Sequence, residues 1–520
     1  MITSKRKKRF ETPPVRMDGR IFCAKCIVAI FISKIPGFCT KPIFYAMSIA
    51  CIRIQKGFVY MDCKNEKLKI MREEAVPKAL LKMALPTMIG MVVSALYSVV
   101  DAFFVGGLGT SQMGAVSVTF PIGQVVVGLG MMFGSGAGSY ISRLLGAGEN
   151  EKANRTASTA LFSSLLTGIV LIGISLCFLN PLLTALGATK TILPYARQYG
   201  MIYITGSILN IFTSTMNNIM TAEGLSGITM TSFLLSSVVN IILNPIFIYV
   251  LGFGIRGSAI STVIAQVVIT VMYLWIILSK KGVLRFSPAN IRLDVMIYRQ
   301  IFKVGIPILV YQFLTSLAIG LTNTAANAYG DSAVAAFGVV TRITALVSYL
   351  VFGFTDGYQP VAGYNYGAKS YGRLKEATKL SFLWTTVFCA AAAVVLIAFP
   401  VPILTPFSRN DPELIRIGSE ILRANGCLFT LFGFEMVSMS LFLSIGKGTE
   451  GGILSISRQG LFFLPAVLIL PRFFGMEGIV WAQPAADVLT VILSAVFLLG
   501  LNKKLKAKTE APTEPKNRAA

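Results

Sequence analysis

A small set of polar side chains lies inside apolar stretches of this 520-residue chain, at spacings that suit cation binding. Asp101 follows Tyr97 by four residues, Asn240 and Asn244 have the same spacing, and Thr262 lies in the next apolar stretch. Residues four apart share one face of a helix. A carboxylate among neutral amide and hydroxyl oxygens can hold a proton or a small hard cation, so these residues form a candidate site for H+ or a small cation such as Na+.

Catalytic and cofactor chemistry find little support in the residue types. The chain has no histidine, which excludes Ser/His and Cys/His catalysis. The runs Gly134-Ser-Gly-Ala-Gly-Ser139 and Gly446-Lys-Gly-Thr-Glu-Gly451 lack the full pattern of a nucleotide-binding loop. Cys23-Ala-Lys-Cys26 has metal or redox spacing, but a zinc site needs two more ligands. We expect no enzyme, no cofactor and no resident metal, and no activity driven by ATP bound to this chain.

The composition identifies the elements that position these side chains. The chain is 54% hydrophobic and 13% charged, whereas soluble domains average about 25% charged residues. Charge-free runs such as 156–188, 224–255 and 380–408 exceed the roughly 20 residues that span a bilayer. We predict an all-α integral membrane protein whose twelve transmembrane helices begin near residues 80, 112, 156, 194, 230, 256, 304, 333, 380, 414, 453 and 477.

The net charge of +24 is explained mainly by topology. Residues 1–75 and 503–520 supply fourteen of these charges, and other Lys and Arg residues cluster in alternate loops, as in 280–303 and 369–379. Positive loops remain on the cytoplasmic side. We therefore expect a multi-pass protein of the inner (plasma) membrane with both termini in the cytoplasm. Contact with anionic lipids follows, and no nucleic-acid partner is expected.

A repeat divides the chain into two halves. At a constant offset of 221 residues, Pro86 matches Pro307, Gly109 matches Gly330, and Gly254 matches Gly475. Six helices per half give both copies the same orientation, which predicts a parallel repeat with a central cleft. The predicted boundaries are a basic, Cys-rich extension outside the fold (1–60), a cytoplasmic segment (61–79), an N-lobe (80–281), a cytoplasmic linker (282–303), a C-lobe (304–502) and a basic tail (503–520).

Several motifs resemble those of one transporter family, in the same order along both halves. They are Met83-Ala-Leu-Pro86, the run Ala95-Leu-Tyr-Ser-Val-Val-Asp101, Asn240-Ile-Ile-Leu-Asn-Pro-Ile-Phe-Ile248, Gln359-Pro-Val-Ala-Gly-Tyr-Asn-Tyr-Gly-Ala368 and Gly451-Gly-Ile-Leu-Ser-Ile-Ser-Arg-Gln-Gly460. Over residues 62–502 the chain resembles the multidrug and toxic compound extrusion (MATE) family, in its bacterial multidrug-exporter branch near the DinF-like and staphylococcal exporters.

The resemblance implies a monomeric antiporter that exports amphipathic or cationic drugs in exchange for H+ or Na+, by alternating access of the two lobes. It also implies residue roles. These are the coupling carboxylate Asp101, the cation-site neighbours Asn240 and Thr262, the substrate-cavity residues Tyr97 and Asn217, and a bend of helix 1 at Pro86.

Three positions depart from the family pattern. Asn244 stands where DinF-like members often carry a carboxylate, so the N-lobe site has one negative charge, and both H+ and Na+ remain open. Asp356 and Glu435 stand where uncharged residues are expected. They form a candidate second acidic site, which attracts cationic substrate or binds a second coupling ion. The alternative is that they pair with Arg342 or Arg458.

Three other functions remain to be weighed. A lipid-linked saccharide flippase of the same superfamily would line its cleft with many basic residues, and few lie within these spans. A membrane-embedded enzyme would require Asp101, Asp356 and Glu435 to meet in one cavity. A channel would not need an ionisable N-lobe site. The identity of the exported substrate is not encoded in any recognisable motif.

Overall fold

The computed structural model describes residues 64–279, 282–407 and 411–510, and every regular element in those ranges is helical. The predicted extension, residues 1–60, the Cys23-Ala-Lys-Cys26 motif and residues 511–520 of the tail lie outside the described residues. The all-α prediction is confirmed for the described part of the chain.

In the described part of the chain, ten long helices and a final bent pair are accompanied by three short helices, Lys64–Arg72, Leu179–Ala185 and Pro400–Leu404. The first ten are α1 (Val76–Gly106), α2 (Thr110–Ala147), α3 (Asn150–Cys177), α4 (Leu193–Ala222), α5 (Ser226–Pro245), α6 (Ile255–Leu278), α7 (Val295–Asn327), α8 (Asp331–Gly367), α9 (Tyr371–Ala398) and α10 (Pro412–Ser444). α11 comprises Gly448–Ile456, a π turn at Ser457–Phe462, and the start of Phe463–Glu510. α12 is the remainder of Phe463–Glu510, after a break at Gly475.

Ten helical segments of the described chain have the length and hydropathy to cross a membrane. One of them, Gly448–Lys503, contains both α11 and α12 because Gly475 interrupts it. The polar helix α4 is not among the ten, although its 30 residues match its neighbours in length. Dividing the bent segment and including α4 gives the predicted twelve helices.

The helices begin earlier than hydropathy predicts. α7 begins at Val295 rather than near 304, and α9 begins at Tyr371 rather than near 380. Both added stretches carry basic residues, among them Arg299 and Lys375. Hydropathy detects only the part of a helix that suits the bilayer core, whereas the hydrogen-bonded backbone continues into the polar headgroup region. The linker is correspondingly shorter than the predicted 282–303.

The 221-residue repeat is visible in the backbone. Gly254 and Gly475 have nearly equal torsion angles, φ 55° and ψ −132° against φ 58° and ψ −134°. Gly109 and Gly330 both adopt positive φ before α2 and α8, at 128° and 94°. Side chains rarely adopt such conformations, so glycine is required at corresponding turns of both halves. The N-lobe (α1–α6) and the C-lobe (α7–α12) are therefore copies of one fold.

The two lobes meet where α2 and α8 cross. A Cβ atom on Gly146 would lie 2.0 Å from the carbonyl oxygen of Tyr364, and one on Gly367 would lie 2.0 Å from that of Arg143. Arg143 and Tyr364 are also 221 residues apart, so the contact is reciprocal. A pseudo-twofold axis thus passes between the ends of these two helices. We call this side, where residues 279–294 connect α6 to α7, the linker face.

Two further helix pairs close the lobes on the linker face. α1 packs on α8, where a Cβ atom on Gly357 would lie 2.4 Å from the Cα atom of Ala84. α2 packs on α7, where a Cβ atom on Gly305 would lie 2.1 Å from the carbonyl oxygen of Met132. Small residues let membrane helices approach closely and gain van der Waals contact. The lobes are in tight contact on this side.

Substituting Gly357 with alanine tests this packing. The substitution raises the helix propensity of α8, which is stabilising, but it crowds the contact with α1, which is destabilising. Alanine is favoured over glycine within a helix by roughly 0.5–1 kcal/mol. Overpacking a tight contact costs about 1–3 kcal/mol. We expect Gly357→Ala to lower the thermal midpoint of the purified protein. At Gly338 on the same helix, no atom of the described residues lies within 4 Å of the place that a methyl group would take, so Gly338→Ala should keep or raise the midpoint. Equal shifts in both variants would contradict the proposed packing.

Candidate functional site: a carboxylate network in the N-lobe

Asp101 lies on α1 and faces α5 and α6. Its Oδ1 atom accepts hydrogen bonds from Asn244 Nδ2 at 2.6 Å and from the Ser258 hydroxyl at 3.2 Å. In the described part of the chain, no Lys or Arg side chain forms an ion pair with this half-buried carboxylate. Its negative charge is therefore stabilised only by neutral donors.

The hydrogen bonds continue into α5 and α6. Asn244 Nδ2 lies 3.3 Å from Asn240 Oδ1, and Asn240 Nδ2 donates to the Thr262 hydroxyl at 3.3 Å. The Ser261 hydroxyl donates to Asn244 Oδ1 at 2.7 Å. Both asparagines are almost fully buried. The structure thus brings the predicted residues Asp101, Asn240, Asn244 and Thr262 into one network with Ser258 and Ser261, which we call the carboxylate network.

Two members of the carboxylate network were not predicted from the sequence. Ser258 bonds directly to Asp101, and Ser261 orients the amide of Asn244. Ser258, Ser261 and Thr262 are spaced three and four residues apart, so they share a face of α6. That periodicity was available in the sequence. Serines are common in membrane helices as neutral packing residues, so the pattern alone did not distinguish them.

The end of α5 and the start of α6 place the network close to Asp101. Pro245 ends the regular helix because it has no N–H, and a π turn follows at Ile246–Val250. The chain reverses before α6, where a Cβ atom on Gly257 would lie 2.6 Å from the backbone of Phe247. This close approach aligns the polar faces of α5 and α6 opposite α1.

The network can hold one proton or one small cation. A carboxylate surrounded by amide and hydroxyl oxygens offers hard ligands of the kind that alkali and alkaline-earth ions prefer. It also offers a single exchangeable negative charge to a proton. The amide and hydroxyl donors on Oδ1 would have to rearrange as the charge is neutralised. Occupancy of the site is therefore linked to the positions of α5 and α6 relative to α1.

The two predicted substrate-cavity residues lie in different surroundings. Tyr97 is half-buried on α1, one turn before Asp101. Asn217 is on α4, where its Oδ1 atom accepts from the Tyr273 hydroxyl at 3.3 Å, and it lines a small cavity nearer the linker face. A single cavity containing both residues is not present among the described cavities.

That cavity, which we call the seal cavity, lies between the lobes. It has a volume of about 20 Å³. Asp356 and Gln359 of α8 line it from the C-lobe. Its N-lobe walls include the polar residues Ser135, Ser139, Asn217, Asn218, Thr221 and Thr229 beside the apolar residues Met91 and Phe233.

Glu435 belongs to a different cluster, deep in the C-lobe. The guanidinium of Arg458 lies 3.1 Å from Glu435 Oε2 and 3.1 Å from Asp487 Oδ1, so two carboxylates share one cation. Gln483 Nε2 donates to Asp487 at 2.6 Å, and the Arg458 guanidinium stacks over Phe432. Asp356 and Glu435 therefore do not share neighbours, which separates the two residues predicted as one acidic site.

Pro86 lies inside the continuous helix α1. A proline removes the hydrogen bond to the carbonyl four residues earlier. The Ser226 hydroxyl contacts that freed carbonyl, on Lys82, at 3.3 Å. The adjacent Thr87 hydroxyl donates across the lobe boundary to the carbonyl of Gly353 at 2.6 Å. The bend predicted at Pro86 stays a prediction, but its hydrogen-bond defect lies directly beside a contact between the lobes.

Comparison with known proteins gives a consistent picture. The MatE family model matches residues 86–246 and 307–468, stretches whose first residues are 221 positions apart. The chain is 28% identical over 447 residues to the multidrug export protein MepA of Staphylococcus haemolyticus (strain JCSC1435), covering 85% of this chain and 97% of that protein. It is 27% identical over 454 residues to MepA of Staphylococcus aureus (strain NCTC 8325 / PS 47), covering 86% and 98%.

Solved structures are similar across the same region. A MATE protein crystallised in complex with MaL6 gives a TM-score of 0.80 at 26% identity, covering 85% of this chain and 99% of that one. An outward-facing multidrug resistance MATE family transporter of the MOP superfamily also gives 0.80 at 26% identity, covering 85% and 98%. The twelve-helix, two-lobe architecture is thus shared over most of the described chain.

Asn244→Asp tests whether the carboxylate network is a cation site. The substitution places a second carboxylate about where an amide now lies 2.6 Å from Asp101. Two carboxylates at this separation cannot both ionise without a proton or cation between them. We expect the thermal midpoint of this variant to rise with added NaCl, relative to choline chloride, by more than that of the unsubstituted protein. Asn180→Asp, at an exposed position, should show no such difference. An equal response in both variants would contradict cation binding here.

Proposed function

Because the chain belongs to the MatE family, we propose that it is a secondary active multidrug efflux antiporter of a bacterial plasma membrane. It exports amphipathic or cationic small molecules in exchange for H+ or Na+. Family membership supports the class of transporter, and the similarity to multidrug export proteins supports the class of substrate. Transport requires no cofactor beyond the coupling ion, and substrate occupies the cleft between the lobes, with Tyr97 and Asn217 as wall residues.

The observation that carries this proposal is the carboxylate network. An ionisable residue inside a membrane helix is costly, so its retention indicates a role in moving ions. Asp101 has neutral partners on two other helices and no cationic partner in the described part of the chain. A structural carboxylate would be expected to hold a permanent counter-ion, as Glu435 and Asp487 do through Arg458. Asp101 instead keeps its charge available for exchange.

Helix α1 connects the coupling site to the contact between the lobes. It carries Asp101 near its C-terminal end and Thr87, which bonds to Gly353 of α8, about a third of the way along from its N-terminal end. Fourteen residues of helix correspond to about 21 Å along its axis. Neutralisation of Asp101 alters its bonds to Asn244 and Ser258, shifts α1, and changes its packing on α8. The coupling ion and the substrate then bias one conformational equilibrium, as exchange requires.

The orientation of the protein follows from its basic loops. Lys and Arg residues concentrate at the linker face, including Arg285 and Arg292 of the connection and Arg373 and Lys375 at the start of α9. The linker face is therefore the cytoplasmic side. With its lobes in contact there, the structure corresponds to a state closed to the cytoplasm. Because Asn244 leaves the carboxylate network with one negative charge rather than the two of a two-carboxylate Na+ site, we favour H+ as the coupling ion.

Asp101→Asn should abolish gradient-driven export while the protein still reaches the membrane. Asparagine keeps the size of the side chain but cannot exchange a charge. The assay is ethidium transport in proteoliposomes under an imposed pH gradient or an imposed Na+ gradient, and the gradient that drives transport identifies the coupling ion. Asp294→Asn is the matched control, since Asp294 caps α7 in a connection and asparagine caps equally well. Export at normal rates by Asp101→Asn would contradict the coupling role.

Single-cysteine labelling tests the orientation. In a background without native cysteines, a cysteine at Ala289 of the linker should react with an impermeant maleimide only after the cells are opened. A cysteine at Lys190, between α3 and α4, should react in intact cells. Both positions are exposed. The reverse pattern would place the linker face outside the cell and would refute the proposed direction of transport.

A further inference from the structure

The seal cavity lies on the pseudo-twofold axis between the lobes. Asp356 and Gln359 of α8 correspond at the 221-residue offset to Ser135 and Gly138 of α2, and all four line the cavity. The sequence repeat therefore places a carboxylate opposite a hydroxyl at the same depth. The cavity lies within the region where α1, α2 and α8 pack closely on the linker face.

Asp356 has no compensating charge within the described chain. Among the residues that line the seal cavity, it is the single charged or titratable side chain. No hydrogen bond or ion pair to its carboxylate is found within residues 64–279, 282–407 and 411–510. On the helices packed against α8, the nearby charged groups have partners elsewhere: Lys82 with Glu74, Arg143 with Gln300, Arg373 with Asn365, and Glu435 with Arg458.

A second polar group in the cavity also lacks a partner. Gln359 Nε2 is buried one turn from Asp356 and makes no hydrogen bond with any residue that the structure describes. Buried polar groups are nearly always satisfied by protein or by an ordered ligand or water. The cavity volume of about 20 Å³ exceeds the 10–15 Å³ or so that one water molecule needs. It is too small for a drug and has room for one water molecule or one small ion.

An isolated ionised carboxylate between two packed lobes is electrostatically unfavourable, and it becomes neutral unless a cation accompanies it. The hydroxyl and amide oxygens around Asp356 are hard ligands that suit such a cation. We propose that Asp356 is a second coupling-ion site, which takes up one monovalent positive charge, H+ or Na+, when the lobes close on the linker face and releases it when they open. This rests on the proposed antiport function and adds a site distinct from the carboxylate network.

The location gives the site a defined role. The carboxylate network responds to ions within the N-lobe, whereas Asp356 is half-buried between the lobes, where α8 of the C-lobe packs on α1 and α2. Opening the linker face exposes Asp356 further to water, which stabilises its ionised form and lowers its affinity for a bound charge. Each opening event then delivers a positive charge to that side. Two sites, one in a lobe and one between the lobes, give an exchange of two charges per cycle.

The experiment measures lobe opening directly rather than transport. Spin labels at Asn150 on α3 and Gly372 on α9, both exposed at the linker face of a full-length cysteine-free protein, report the distance between the lobes. The protein also carries Asp101→Asn, so that the carboxylate network can no longer bind or release a charge. The ratio of open to closed protein is measured across pH at fixed Na+, and across Na+ concentration at fixed pH.

If Asp356 binds a proton, the open fraction in the Asp101→Asn background rises with pH, by up to tenfold in the open-to-closed ratio per pH unit. If it binds Na+, the open fraction falls as Na+ is added at constant pH. Either dependence is lost in Asp101→Asn/Asp356→Asn, which stays closed, and is kept in Asp101→Asn/Asp411→Asn, where a capping residue is exchanged for another good cap.

The proposal is overturned if Asp101→Asn already shows no ion dependence, or if adding Asp356→Asn leaves that dependence unchanged. Asp356→Gln replaces Asp356→Asn should the latter not fold, and Asp356→Glu should retain the ion response. Because the distance measurement needs no substrate, a failure of ethidium transport in the unsubstituted protein would refute the proposed function without bearing on this result.

Discussion

The low polarity of the bilayer core is the constraint on which this structure depends, because every charge within it must be neutralised inside the protein. The described residues place carboxylates of the membrane-spanning helices in three different surroundings. Arg458 neutralises Glu435 and Asp487 permanently within the C-lobe. Asp101 is stabilised by neutral amide and hydroxyl donors from two other helices. Asp356 has no partner among the described residues and lies half-buried between the packed lobes. The first arrangement suits a fixed structural cluster, and the other two suit charges that exchange.

Glycine contacts join the helix that carries Asp101 to the contact between the lobes. Where α1 meets α8 and α2 meets α7, backbones lie so close that no side chain fits at Gly357 or Gly305. Packed membrane helices have few intermediate arrangements, so a shift of α1 changes the lobe contact as a unit. Thr87 adds a directional hydrogen bond to Gly353 beside the defect at Pro86. The helix that carries Asp101 is thus also the helix that packs on α8 at the linker face.

The duplicated fold is symmetric in backbone and asymmetric in chemistry. Glycines at corresponding turns share their torsion angles, and the crossing of α2 and α8 is reciprocal. Yet Asn240 and Asn244 correspond to Leu461 and Pro465, so the second lobe cannot build the same network. Conformational requirements at turns and crossings explain why glycine stands in both halves, whereas the interior of each lobe is free to carry a separate function.

The sequence by itself determined the membrane class, the two-lobe repeat and the polar residues of α1, α5 and α6, because hydropathy, periodicity and a constant offset are properties of the chain alone. It placed helix starts too late, since polar helix ends resemble loops in hydropathy. Only the tertiary structure decided that Ser258 and Ser261 join Asp101, that Glu435 pairs with Arg458, and that Asp356 lies apart between the lobes. These outcomes depend on the rotation and depth of helices far apart in sequence, which are set by packing across the whole molecule. The periodicity of α6 placed Ser258 and Ser261 on one face but did not show that this face meets Asp101.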